Sequence, residues 1–141
     1  MKALLIRQPW IDKILRSEKR WELRGSRTKV RGLIALIQSG TGAVVGTCEL
    51  VEVEGPLSMA ELRRSTARHR VPADRFNKRP PYPRTYAWVL RAARRLHKPV
   101  RYEHAAGAVI WVNLSSRVAT AIRRTTNNWH GATSREMRRR G

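Results

Sequence analysis

A mixed α+β domain is what this 141-residue sequence predicts, on three observations. Short apolar runs recur along the chain and are bounded by glycine, serine or proline, as strands of a small sheet would be. Few stretches carry helical spacing, and those that do begin beside a proline or serine. Residues 68–84 hold Pro72, Pro80, Pro81 and Pro83 and so cannot form long regular structure. The length supports one core, and an apolar fraction of 41% suffices to fill it.

The elements follow in order. Residues 3–6 are an uninterrupted apolar run, fit for a strand buried on both faces. Pro9 suits a helix's first turn because its φ is preset and it lacks a donor. Trp10, Ile11, Ile14 and Leu15 then recur at helical spacing, opposite Asp12, Lys13, Arg16 and Ser17. At residues 20–24 the period changes to two: Trp21 and Leu23 share one face, Arg20, Glu22 and Arg24 the other. Lys19 has the wrong parity to join them and must reach over from the preceding turn.

Residues 25–32 form a basic loop bracketed by glycines, either an anion cradle or a solvent-facing turn. Residues 33–37 and 43–53 are strands; alternation in the second slips at Leu50 and Val51, as a bulge or barrel corner requires. Ser58 and Glu61 make a capping box that opens a helix through Arg64. The segment 68–84 is an excursion, either a pocket wall or a connector. Residues 85–90 return to strand, 91–98 form a basic turn, 99–102 are extended and 108–114 make the last strand. Ser115 and Ser116 can cap a final helix carrying Val118, Ala121 and Ile122. From Thr125 the apolar period stops, and Arg135, Arg138, Arg139 and Arg140 oppose only Glu136, as in a mobile basic arm. The expected division is a domain over residues 1–116 and a helix with basic arm over 117–141.

Several fragments are familiar as an ordered set. They are I-R-Q-P-W at 6–10, K-x-x-E-x-R at 19–24, Arg31-Gly32, Val45-Gly46-Thr47 followed by Glu49-Leu50-Val51, the run 86–90 and the run 107–112. Together they resemble the ASCH family, a branch of the PUA-like β-barrels, over roughly residues 3 to 114. The resemblance implies a small, partly closed PUA-like β-barrel with two or three peripheral helices. It also implies RNA contact. Family members have been assigned as N(4)-acetylcytidine amidohydrolases, as ribonucleases and as nucleic-acid-binding modules of coactivators. In the amidohydrolase branch the lysine is matched by Lys19. The threonine three positions later is replaced by Glu22, so a hydroxyl mechanism does not carry over. A distal glutamate of that branch has no counterpart, and a His-Ala pair common in the family is replaced near Gln38 and Ser39. Other relatives proposed to act on acylated cytidines share the K-x-x-E-x-R form.

Composition bounds the partners independently. The formal charge is +20, carried by 24 Arg and 6 Lys. Such an excess repels itself unless a polyanion neutralises it, and arginine favours forked phosphate contacts and stacking on bases. The competing explanation is a thermophile or high-GC composition with a solvated basic surface. Cys48 is the single cysteine and is expected to be a buried, inert thiol. His69, His97, His104 and His130 lack metal-ligand spacing, so neither a metal nor a cofactor is expected. No stretch approaches a membrane span, and because the first strand starts at once no leader is expected. The expectation is a soluble cytoplasmic monomer whose partner is RNA or a modified nucleoside.

Lys19 and Glu22 are the expected catalytic pair. Hydrolysis of an N-acylcytosine amide needs an activated water and donors for the oxyanion and the leaving amine. Two assignments stand: Lys19 as base after its pKa is depressed, or Glu22 as base with protonated Lys19 on the oxyanion. The competing explanation is a structural ion pair of Glu22 with Lys19 or Arg24. Arg7, Gln8, Trp10, Arg24, Ser26, Tyr86 and Trp88 are the expected substrate contacts. Trp10 on its amphipathic helix is more often core than a stacking partner, and packing accounts at least as well for Tyr86 and Trp88, whose shared strand face offers a stacking platform. Arg27, Lys29, Arg31, Trp129, Arg138, Arg139 and Arg140 are the expected nucleic-acid contacts. Two other functions remain open beside the amidohydrolase: a non-catalytic RNA-binding module, and a ribonuclease in which the lysine stabilises a pentavalent phosphate.

Overall fold

In the computed structural model, which describes residues 1–126, six strands form one mixed sheet. They are β1 (Lys2–Ile6), β2 (Trp21–Arg24), β3 (Gly32–Gln38), β4 (Ala43–Glu54), β5 (Tyr86–Arg101) and β6 (Trp111–Asn113). The helices are α1 (Trp10–Leu15), α2 (Met59–Arg64), α3 (Thr66–His69) and α4 (residues 116–126), with a 3₁₀ turn at Ala73–Phe76. The α+β class is as expected, and the described residues hold four helices rather than two or three. The sheet order is β2-β5-β4-β3-β1-β6, with β1 and β3 parallel and the other pairs antiparallel.

The sheet curls into a half-barrel. Trp88 of β5 and Trp111 of β6 stack with ring centroids 5.6 Å apart, although four strand steps separate them. In a flat sheet those steps would span roughly 19 Å. Leu4, Ile6, Ile34, Leu36, Cys48, Leu50, Trp88 and Leu90 fill the concave side, where α1 adds Ile11 and Ile14. The alternate residues Ala3, Leu5, Ala35 and Ile37 point to the opposite face and meet Ile122 of α4. The apolar run of β1 is thus buried on both faces, as its pattern predicts. Trp21, Leu23 and Ala87 form a third cluster under Leu62 of α2 and Phe76. Cys48 is fully buried, and burial pushes its thiol up to about 12.

Local chemistry explains the helix starts. Ser58 Oγ accepts from Glu61 N–H and Glu61 Oε1 accepts from Ser58 N–H, completing the predicted capping box. Ser115 Oγ accepts from Val118 N–H and starts α4. Pro9 sits at the N-cap of α1 and provides no side-chain cap. Among the described residues no helix is long and apolar enough to cross a membrane.

Two strand boundaries differ from the sequence expectation. Residues 91–98 are not a turn: they continue β5, which runs unbroken for 16 residues. Pairing with β4 satisfies their backbone groups, so the arginine-rich composition does not break the strand. Three register shifts and a positive φ of 53° at Ala92 let the ribbon bend instead. One shift falls between Leu50 and Glu52, where the alternation slips in the sequence. The last strand is shorter than 108–114, because only residues Trp111–Asn113 ladder with β1.

Close approach of α1 to the sheet depends on Gly46. A Cβ there would strike Leu15 Cδ2 and lie 2.6 Å from the Arg94 carbonyl oxygen. Gly46→Ala is therefore expected to cost about 1–3 kcal/mol, because the backbone contact cannot relax by side-chain rotation. Urea denaturation of the two proteins measures it.

Candidate functional site

The turn after α1 is closed by one carbonyl: Lys13 O accepts both Glu18 N–H, at 2.9 Å, and Lys19 N–H, at 3.0 Å. Ser17, at φ 62°, reverses the chain. Residues 18–20 are then fastened to residues 68–70 at the end of α3. Arg20 N–H donates to Arg68 O at 2.9 Å, Lys19 Nζ donates to His69 O at 2.5 Å, and Arg70 Nε donates to Glu18 O at 2.9 Å. Lys19 consequently points inward from the turn and is only 2% exposed.

Its Nζ lies 3.8 Å from Glu22 Oε1 and 4.9 Å from the centroid of the Trp10 ring. Burial pushes the amine down to about 8; Glu22 opposes that shift, while Arg24 and Lys13 add to it. Glu22 projects from β2 on the face opposite Trp21 and Leu23, and its Oε2 accepts from Arg24 Nη2 at 3.3 Å. The same Arg24 nitrogen donates to Leu5 O at 2.8 Å, tying β2 to β1 across the open side of the half-barrel. Amine, carboxylate and guanidinium thus form a row at the mouth of the curled sheet.

They line a cleft of about 550 Å³, within the range of small-molecule sites. Trp10 forms part of the wall, and Arg7 and Ser39 stand where the strand ends meet α1. The opposite wall is the proline-rich excursion, through Val71, Arg75, Pro81 and Tyr82. Among the described residues Glu22 is the only carboxylate in a lining that includes Arg7, Lys19, Arg24 and Arg75. That balance favours an anionic or electron-rich ligand.

Five of the expected residues therefore converge: Lys19, Glu22, Arg7, Trp10 and Arg24. Others do not. Gln8 is exposed and bonds Asp12, adding to the effect of Arg95, whose hydrogen bond is the larger cause holding Asp12 below the ordinary carboxylate range. Ser26 offers its carbonyl to Trp88 Nε1 at 2.9 Å and does not line the cleft. Tyr86 and Trp88 do not form a stacking platform. Trp88 is 1% exposed, with Trp111 stacked on it and the Arg24 guanidinium 5.6 Å from its ring. The curl of the sheet turns that strand face into core. Arg27 lies 5.0 Å from the Tyr86 ring and donates to Gly55 O, and Arg31 donates to Thr28 O and Val30 O. Lys29 is exposed; none of the three lines the cleft. Trp129, Arg138, Arg139 and Arg140, and most of the expected basic arm, lie outside the described residues.

His69, Arg75 and Tyr82 are site residues that sequence patterns do not single out. His69 is fully buried; its Nε2 donates to Leu62 O at 2.7 Å and its Nδ1 accepts from Val71 N–H at 2.9 Å. Burial lowers its pKa, Leu62 O opposes the shift, and Lys19 adds to it. The ring so fixed holds the carbonyl that receives Lys19. Its signal in the sequence is a lone histidine 50 residues away, with nothing to join it to Lys19.

Comparison with known proteins places this architecture. The structure is similar to crystal structures of ASCH from Zymomonas mobilis, with a TM-score of 0.65 at 13% identity over 84% of this chain and 90% of that one. A tyrosine-to-phenylalanine variant of that protein gives 0.65 at 13%, covering 85% and 94%. A serine-to-alanine variant gives 0.62 at 14%, covering 85% and 92%. At such identities the likeness concerns the fold. No curated protein sequence matches the chain. The sequence model of the ASCH domain matches residues 4–137, nearly the whole length, and the chain belongs to the ASCH domain family.

Proposed function

We propose that the cleft binds the base of an N(4)-acylated cytidine and hydrolyses its exocyclic amide without a metal. The observation that carries this is the convergence of Lys19 Nζ and Glu22 Oε1, 3.8 Å apart, in a cleft of ligand size. Glu22 takes a proton from water as its oxygen attacks the acyl carbonyl carbon. Lys19 has three N–H donors: one serves His69 O, one faces Glu22, and the third meets the developing oxyanion. As the tetrahedral intermediate collapses, the C–N bond breaks and Glu22 returns the proton to the leaving nitrogen. Cytidine and a carboxylic acid leave. With its amine near 8, Lys19 is mainly protonated at neutral pH, which favours this assignment over lysine as base. Trp10, beside the amine, supplies an aromatic wall for the pyrimidine.

The deciding experiment is incubation of wild type and Lys19→Ala with N(4)-acetylcytidine and, separately, with a labelled RNA. Wild type is expected to release acetate, and the variant to do so at least about a hundredfold more slowly. Unchanged acetate release in both Lys19→Ala and Glu22→Ala overturns the proposal. RNA cleavage without acetate release assigns the same lysine to phosphate chemistry. The +20 charge favours a second function, gripping RNA without reaction. Its signature is an affinity that falls with salt at a log–log slope of about −0.7 per contacted phosphate, with no product formed.

A further inference from the structure

Beside the cleft lies a second hollow of about 430 Å³, and the two share Leu5, Arg7, Ser39 and Val109. The rest of its lining includes Tyr102 and His104 and the glycines Gly40 and Gly42. Among the described residues no carboxylate lines it. The two rings are held as a unit. Tyr102 O–H donates to His104 Nδ1 at 2.9 Å, His104 Nε2–H donates to Ala108 O at 2.9 Å, and the rings meet edge to face at 5.8 Å. Tyr102 N–H also donates to Gly42 O, joining the aromatic pair to the glycine turn. Gly40 has open space where a side chain would stand, so the turn leaves the hollow clear. Arg7 is exposed and is the one charged residue that lines both hollows among the described residues.

We infer that the second hollow is a subsite for the neighbouring nucleotide of a single RNA strand, with Arg7 on the linking phosphate. The inference rests on the base-binding role proposed for the first cleft, and it changes the substrate class from a free nucleoside to a residue within RNA. An aromatic pair fixed by its own hydrogen bonds offers a base a preorganised surface. A guanidinium common to the linings of two base-sized hollows can meet the phosphodiester that joins their occupants. The described residues that line the second hollow bring no carboxylate to repel that phosphate.

Binding, rather than turnover, tests it. Three probes that hydrolysis leaves unchanged are titrated into wild type by calorimetry: cytidine, its 3′-monophosphate, and a dinucleotide in which the same phosphate joins it to adenosine. The dinucleotide is expected to bind about tenfold more tightly than the monophosphate, the gain from one stacked base. The monophosphate is expected to exceed the nucleoside, by a margin that Arg7→Ala removes. His104→Ala, at an exposed position, and Tyr102→Ala are expected to bring the ratio of dinucleotide to monophosphate affinity close to one. A wild-type ratio near one, or a high ratio that survives both substitutions, overturns the inference. Failure of the hydrolytic proposal is a separate result, seen as tight dinucleotide binding by a protein that releases no acetate from N(4)-acetylcytidine.

Discussion

Replacing Lys19 with methionine is expected to lower amide hydrolysis by about a hundredfold to a thousandfold while leaving the fold intact. Methionine fills similar volume, and Glu22 keeps Arg24 as a partner at 3.3 Å. What disappears is the donor aimed at the oxyanion. The pH profile separates this role from the alternative. With the amine near 8, wild-type kcat/KM should fall about tenfold per unit above that pH if the cation is the active form. A rise through the same range would make lysine the base and overturn the assignment.

The same substitution carries a stability signature of defined sign. In the unfolded chain Lys19 titrates near 10.5, and in the folded protein near 8. Below both values it is charged in either state, and the folded state bears the cost of holding that charge out of water. Between them the unfolded chain binds the extra proton, so wild-type stability rises with pH. Relative to Lys19→Met, wild type should gain about 2 kcal/mol between roughly pH 7 and pH 9.5. Urea unfolding of both proteins at the two pH values measures the difference. A gap that does not change with pH would mean that the amine is solvated.

Glu22→Ala is expected to be the more damaging substitution, because it removes the water-activating carboxylate and the counter-charge together. Lys19 and Arg24 would be left 2% and partly exposed beside each other with no anion between them. Breaking a buried pair from one side costs about 3 kcal/mol or more, which corresponds to roughly 10 °C in melting temperature for a chain of this size. Lys19 should also release its proton at lower pH, since Glu22 opposes the downward shift. Glu22→Gln separates the two effects: an amide oxygen still accepts from Arg24, so less stability is lost, while hydrolysis falls as far. Activity retained in Glu22→Gln would remove the carboxylate from the chemistry.

Much of this molecule follows from local pattern. Strand alternation places Glu22 and Arg24 on the face opposite Trp21 and Leu23, and the structure keeps them there. The unbroken apolar run of β1 predicts burial on both sides, and the misplaced parity of Lys19 predicts a residue reaching in from a turn. Such features depend on backbone periodicity, which neighbouring residues decide. The ordered fragments between residues 3 and 114 likewise identify the family that the domain match establishes.

Tertiary structure decided which groups see the cleft. Trp88 has the alternation of a platform residue, but curling of the sheet brings Trp111 onto its ring and closes it off. Residues 91–98 have the composition of a turn, but the ladder with β4 makes them strand. His69, Arg75 and Tyr82 come from a segment 50 to 63 residues after Lys19 and carry no periodic signal of their own. Their positions depend on how a proline-rich excursion lies across β2, a matter of packing between distant elements. Sequence alone determined the faces of the strands and the residue types available for chemistry. Folding determined which of them share one hollow, because side-chain direction is set within a strand but proximity across a sheet is set by its curvature.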